Sequence, residues 1–359
     1  MATTSFDPER AEAFAGRMLD TLNSGALAVM ISVGHRTGLF DTLGGAGDLT
    51  SNELAEAADL QERYVREWLA AMTTGRVVEY EPATQRYRLP AEHAAWLTRA
   101  ASPDNLAVTA QFLPLLGAVE DDVVRCFREG GGVPYERYGR FHDVMAEDSD
   151  QTVLSSLFSH ILPLVEGAEK RLEAGVSLLD LGCGRGHALL ALAERFPRSR
   201  FVGYDLSSEA IAHAREQAVS RSLGNVAFEI RDLSAFDVDA DPGSFELVTT
   251  FDAVHDQARP LALLRGIRRS LAEDGVYLMQ DIHGSSHVHE NLDHPGGTLL
   301  YMLSCMHCMT VSLAQGGEGL GTLWGEQKAR AMLTEAGFGS VEVHQLDHDP
   351  FNAYFVVRP

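Results

Sequence analysis

The stretch Asp180-Leu181-Gly182-Cys183-Gly184-Arg185-Gly186 constrains this chain more than any other. It ends the apolar run Ser177–Leu181 and leads straight into an amphipathic stretch near 187–196, so its glycines fall at a strand-to-helix turn. Glycine allows the tight turn and a close approach of backbone to ligand, and the helix start leaves free N–H groups beside it. Short apolar strands recur at Phe201–Tyr204, Val226–Ile230, Leu247–Phe251 and Val276–Ile282, with helical stretches near 208–221 and 259–271. That alternation predicts an α/β fold whose parallel sheet is covered on both faces, with ligands at the carboxyl ends of its strands. Ser340–His344 and Ala353–Val357 are predicted as the final strands.

The glycine spacing narrows the ligand. A dinucleotide fingerprint needs G-x-G-x-x-G, whereas here the pattern is G-x-G-x-G and His187 takes the expected glycine's place. Asp180, at the strand's end before the first glycine, would repel a pyrophosphate and suits a ligand carrying an ammonium. Asp205 closes the second strand 19 residues after Gly186 (205 − 186), where a carboxylate can accept ribose hydroxyls. Asp232-Leu233 follows the third strand and Phe251-Asp252 ends the fourth.

The amino-terminal third has a different grammar. Residues 10–45 read as helical with a break at Gly44-Gly45, and Thr50-Ser51-Asn52-Glu53 is a capping box flanked by the Leu49/Leu54 staple. A second helix buries Tyr64, Val65, Trp68, Leu69 and Met72, and two short strands follow at Val77–Tyr80 and Arg86–Leu89. Helix, turn, helix, ribbon is the order of a winged helix. Residues 48–90 carry eight acids against five arginines, and the chain has a net charge of −22. A groove-reading helix needs excess positive charge, so a structural use is expected and no nucleic-acid partner. Residues 104–172 read as further helices, interrupted by Gly130-Gly131-Gly132.

On these residues the chain resembles class I S-adenosylmethionine-dependent methyltransferases: Asp180–Gly186 looks like their motif I, and the strand-end acids fall where further motifs belong. With its winged helix the whole chain is similar to bacterial small-molecule methyltransferases, distantly like plant-type O-methyltransferases. The resemblance implies a Rossmann-like methyltransferase sheet preceded by an all-helical, winged-helix domain. Its implied domains are 1–100 for dimerisation, 101–165 as a helical connector and 166–359 for cofactor binding. S-adenosyl-L-methionine would be held by Asp180, Gly182, Gly184, Gly186, Asp205, Leu206, Asp232, Leu233, Phe251 and Asp252. The run Asp252-Ala253-Val254-His255-Asp256-Gln257 matches the plant-type His-Asp pair and implies His255 as general base for a hydroxyl acceptor, although Gln257 stands where that pattern has Trp. The bland alternative for His255 is a helix cap or packing under the cofactor.

The segment 284–325 is long for a strand-to-helix connection and reads as a lid. It contains the apolar stretch Leu299–Leu313 and a glycine-rich run at 316–321. Phe112, Phe141, Phe158, Met302 and Met306 are expected to contact a small, partly apolar acceptor. Cys305 and Cys308 form one C-x-x-C without a matching cluster, so no metal is expected. No run of about 18 apolar residues is evident, and Met1–Asp7 lacks the marks of a signal peptide. A cytoplasmic homodimer without membrane contact is therefore expected; the apolar excess in 10–45 exceeds what one winged helix buries. The competing reading is a cofactor-binding regulator whose winged helix contacts DNA or a partner protein.

Overall fold

The computed structural model describes residues 6–359; of Met1–Asp7, expected to lack a signal peptide, the first five lie outside the described residues. The chain divides into two compact units at Pro114/Leu115, so residues 101–165, expected to be one connector, are shared between them.

The first unit opens with helix α1 (Pro8–Arg36), whose first turn is capped by the Asp7 carboxylate accepting from the backbone N–H groups of Glu9 and Arg10. The break before α2 (Leu39–Ala46) falls at Gly38, at φ 73°, and not at Gly44-Gly45, which lie inside α2. Glycine by itself does not mark the break; the left-handed conformation does. Helices α3 (Ser51–Ala57) and α4 (Glu62–Thr74) precede an antiparallel ribbon of β1 (Glu79–Glu81) and β2 (Arg86–Arg88). The capping box forms as expected: Thr50 Oγ1 accepts from Glu53 N, and the Glu53 carboxylate accepts from Thr50 N at 2.8 Å. Arg86 on the ribbon grips the same carboxylate at 2.9 and 3.0 Å, tying wing to helix. Replacing Thr50 by Ala is expected to cost about 1 kcal/mol, visible as a lower urea midpoint. On α4, Arg66 pairs with Glu62 at 3.1 Å and Arg63 with Glu67, which cancels the charge a DNA-reading face would need.

The second unit is built on a seven-stranded sheet in the order β5-β4-β3-β6-β7-β9-β8. Its strands are β3 (Ser177–Leu181), β4 (Arg200–Asp205), β5 (Val226–Ile230), β6 (Phe245–Phe251), β7 (Leu271–Ile282), β8 (Ser340–Leu346) and β9 (Asp349–Arg358). Strands β3 to β7 run parallel, and β9 reverses between β7 and β8. Successive residues point to opposite faces: Leu179, Leu181, Val248, Tyr277 and Met279 join one core, whereas Leu178, Leu247, Val276 and Leu278 join the other. The chain enters the sheet at β3, runs outward to β5, then returns to β6, so strand order reverses between β3 and β6. Ligands of open α/β sheets bind at such a reversal.

One expectation fails here. The helical stretch Gly297–Ala314 has 18 residues at mean hydropathy 1.3, long and apolar enough by length and composition to cross a membrane. Three of its polar side chains, however, bond within the unit. Thr310 Oγ1 accepts from Val133 N at 2.9 Å, Ser304 Oγ accepts from Thr322 N at 3.1 Å, and Ser312 Oγ donates to the Gln257 carbonyl at 2.8 Å.

Candidate active site

At the carboxyl ends of β3, β4 and β6 the turns surround a cleft of about 630 Å³. The three glycines of the β3 turn adopt φ of 72°, 52° and 74°, a region costly for any residue with a Cβ. Two of them are also crowded: a Cβ on Gly182 would stand 2.5 Å from that of Ala253, and one on Gly186 would strike the Phe228 ring. Gly184 instead faces open space, with no atom within 4 Å of where its Cβ would be. The turn is thus pinned at both ends and open in the middle, where a ligand can approach the backbone.

The acids named from the sequence come together along this cleft. Asp205 Oδ2 accepts from Gly184 N and Oδ1 from Ser207 N, both at 2.8 Å, so two backbone donors fix the carboxylate. Each oxygen keeps a lone pair for a hydroxyl. Asp180 accepts from Thr249 Oγ1 at 2.7 Å, and burial pushes its carboxyl up to about 7. Asp232 accepts from Ser234 N at 2.8 Å and lines the cleft with Leu206, Leu233 and Phe251. Asp252 sits at φ 50°, strained for a non-glycine residue. Its Oδ2 accepts from Gln280 Nε2 at 3.0 Å, while its buried Oδ1 lacks a hydrogen-bond partner among the described residues. Burial and the neighbouring Asp281 carboxylate raise its pKa well above the usual range.

His255 follows the end of β6. It is only 3% exposed and does not line the cleft; Asp256 and Gln257 do. Its Nδ1 lies 2.7 Å from Asp281 Oδ1, and its Nε2 lies 3.3 Å from Asp256 Oδ1. Asp281, at the end of β7, is absent from the residues expected on sequence grounds. The available signal was its place at a parallel strand's carboxyl end, the same signal that flags Asp180 and Asp205.

Aromatic residues close the other side. Tyr135, Tyr138, Phe141 and His142 line the cleft, and the Tyr135 hydroxyl donates to Asp256 Oδ2 at 3.3 Å. Of the expected acceptor contacts only Phe141 is in this lining, stacked 3.7 Å from the His307 ring. Phe158 is turned away against Phe196, with the Arg195 guanidinium over its ring face. Phe112 belongs to the first unit and is buried. Met302 and Met306 are outside the lining, because the helix turns Val311, Ala314 and Gln315 to the cleft instead; the Met306 carbonyl accepts from Tyr138 OH at 2.6 Å. Cys308 Sγ lies within 4.8 Å of ligand atoms of His255 and Asp256, and among the described residues Cys305 joins no such group.

Residues 25–99 match the family model of the Rv2258c-like winged HTH domain, and residues 172–337 match that of a methyltransferase domain. The mitomycin 7-O-methyltransferase structure superimposes with a TM-score of 0.71 at 18% identity, covering 98% of this chain and 100% of that one. Human N-acetylserotonin methyltransferase, in complex with S-adenosylmethionine, gives 0.68 at 18% identity over 99% of both chains. At such identities these likenesses establish the fold. In sequence, the methyltransferase ungE' of Aspergillus campestris is 26% identical over 176 residues, 48% of this chain and 50% of that protein. The chain spans about half the length of the curated relatives it matches.

Proposed function

We propose that this chain, whose residues 172–337 are a methyltransferase domain following a winged helix-turn-helix domain at 25–99, transfers the methyl group of S-adenosylmethionine to a small, partly apolar acceptor. The carrying observation is the trio Asp180, Asp205 and Asp232 at three neighbouring strand ends around a glycine turn that is open at Gly184. These residues fit the cofactor. A buried carboxylate suits its ammonium, a carboxylate fixed by backbone donors suits two ribose hydroxyls, and Asp232 suits the adenine amino group. When bound, S-adenosylmethionine supplies an electrophilic methyl group. The chain supplies orientation and, for a hydroxyl acceptor, a proton-accepting group at the His255-Asp256 pair. Calorimetry is expected to show binding of S-adenosylmethionine and S-adenosylhomocysteine but not of NAD. Equal affinity for NAD would overturn the assignment. Screening phenols, amines and thiols for formation of S-adenosylhomocysteine then identifies the acceptor.

Asp180 makes cofactor binding pH-dependent. With its carboxyl near 7 in the free protein, Asp180 is ionised above that pH and neutral below it. Pairing with an ammonium needs the ionised form, so binding below pH 7 releases a proton. Affinity is expected to fall up to about tenfold per pH unit between pH 7 and 5.5. Calorimetry in buffers of different ionisation enthalpy checks the proton count.

The winged-helix unit is read as a homodimerisation element. Helix α1 turns Leu27, Met30 and Ile31 to the first unit's core, yet leaves Phe14, Met18, Leu19, Leu22, Val29 and Val33 exposed. Leu22 is 71% and Leu19 61% exposed. An apolar stripe of that length on a helix suits a second copy. Light scattering should return twice the 39.1 kDa of the chain, and a value of 39.1 kDa at micromolar concentration would refute the dimer. The charge-neutral α4 speaks against the DNA-contacting regulator.

A further inference from the structure

We infer that Asp256, and not His255, takes the proton of a hydroxyl acceptor, with His255 and Asp281 as positioning residues behind it. This rests on the methyl-transfer reading and names the atom on which that reading's proton arrives.

The two ring nitrogens of His255 each face a carboxylate. Asp281 Oδ1 lies 2.7 Å from Nδ1 and also accepts from Trp324 Nε1 at 3.0 Å and from Ile282 N at 2.8 Å. Those converging donors fix Asp281, and through it the ring. On the far side Nε2 meets Asp256 Oδ1 at 3.3 Å. That contact is an ion-pair approach and not a hydrogen bond, yet a carboxylate oxygen so close to the ring favours its charged form. The other groups around the ring are Cys308, whose thiol burial pushes up to about 11, and Asp252, with His307 nearby. Burial opposes the charged ring, but the Asp281 and Asp256 carboxylates overcome it and hold the imidazole well above its ordinary value. A ring protonated at both nitrogens has no lone pair to offer. It is also 3% exposed and outside the cleft's lining.

Asp256 has what His255 lacks. It lines the cleft, its Oδ2 takes only the long Tyr135 bond at 3.3 Å, and its Oδ1 has no hydrogen-bond partner among the described residues beyond the ion-pair contact. In the step, the acceptor's O–H bond breaks and the proton passes to an Asp256 oxygen. The acceptor oxygen's electron pair makes the C–O bond, and the C–S pair stays on sulfur. A carboxylate and a sulfonium, opposite charges in a partly buried site, become neutral together, and the His255–Asp281 ion pair is left unchanged.

The test has an arm that needs no acceptor. In the full chain labelled with ¹⁵N-histidine, the His255 ring should retain both N–H protons at about pH 8.5, above the ordinary histidine range. In Asp256→Asn and in Asp281→Asn the ring should lose one of them at lower pH. A bare nitrogen in the wild-type ring at that pH overturns the proposal, whether or not any phenol is methylated. The second arm compares 4-methoxyphenol, protonated at about pH 8.5, with 4-nitrophenol, already ionised there. Asp256→Asn should lower turnover of the former about 100-fold or more and of the latter less than tenfold, with cofactor affinity unchanged. Equal losses for both phenols overturn the assignment. If the wild-type chain fails to bind S-adenosylmethionine by calorimetry, methyl transfer itself falls, and the ring protonation is still decided by the first arm.

Discussion

Asp205→Ala is expected to weaken S-adenosylmethionine binding by about 1.5–3 kcal/mol, roughly ten- to more than a hundredfold, in a chain that still unfolds cooperatively. The Asp205 carboxylate organises both sides of the site: it holds Gly184 N and Ser207 N at 2.8 Å and offers its remaining lone pairs to the cleft. Truncation removes hydrogen bonds to a charged acceptor, the strong kind, and leaves ribose hydroxyls and two backbone donors competing for water. Asp205→Asn separates the two contributions. Its amide keeps one acceptor oxygen, so the affinity loss should be smaller than for Ala. Calorimetry on both variants checks this, and an Asp205→Ala affinity equal to wild type would remove Asp205 from the cofactor site.

Trp68→Ala is expected to destabilise the first unit by about 3–5 kcal/mol. Trp68 is among the largest fully buried side chains, and its indole sits edge-on to Phe40 with ring centroids 5.1 Å apart. It is seated against Gly34 of α1, where an added Cβ would stand 2.6 Å from the indole, so the helix surface there is shaped to this ring. Its Nε1 donates to the Met30 carbonyl at 2.9 Å, joining α4 to α1. Alanine would leave a cavity and remove that link. Trp68→Phe should cost less, because it fills most of the space and forfeits mainly the hydrogen bond. Urea unfolding followed by circular dichroism measures both; a loss below about 1 kcal/mol for Ala would mean that α1 is held by other contacts. Since α1 also carries the apolar stripe read as the dimer interface, Trp68→Ala should weaken self-association as well.

Much of the second unit is legible in the amino-acid sequence. The apolar runs Ser177–Leu181 and Val226–Ile230 coincide with β3 and β5, and the runs at 201–204 and 247–251 match β4 and β6 to within two residues. Apolar runs closed by glycines and acids are local signals, and in a parallel sheet each strand's end marks where a ligand can sit. For that reason Asp180, Asp205, Asp232 and Asp252 all fall in the cleft's lining. The capping box is equally local, since its partners are three residues apart.

What the chain's own order does not determine is which side chain of a neighbouring pair faces the cleft. His255 and Asp256 are adjacent, and what sets them apart includes Asp281, 26 residues further on, reaching His255 Nδ1 from β7. Tyr135 approaches Asp256 from 121 residues upstream, and Val311, Ala314 and Gln315 reach the cleft from a helix whose rotation is set by Thr310 bonding Val133. Phe158 satisfies the composition of a pocket residue but finds a better apolar partner in Phe196. The amino-acid sequence thus determined the sheet, its strand ends and the acids on them, because backbone periodicity and turn chemistry act over a few residues. Tertiary structure alone decided which group faces the cleft and which is buried behind it, because burial, ion pairing and side-chain rotation are set by residues brought together from distant parts of the chain.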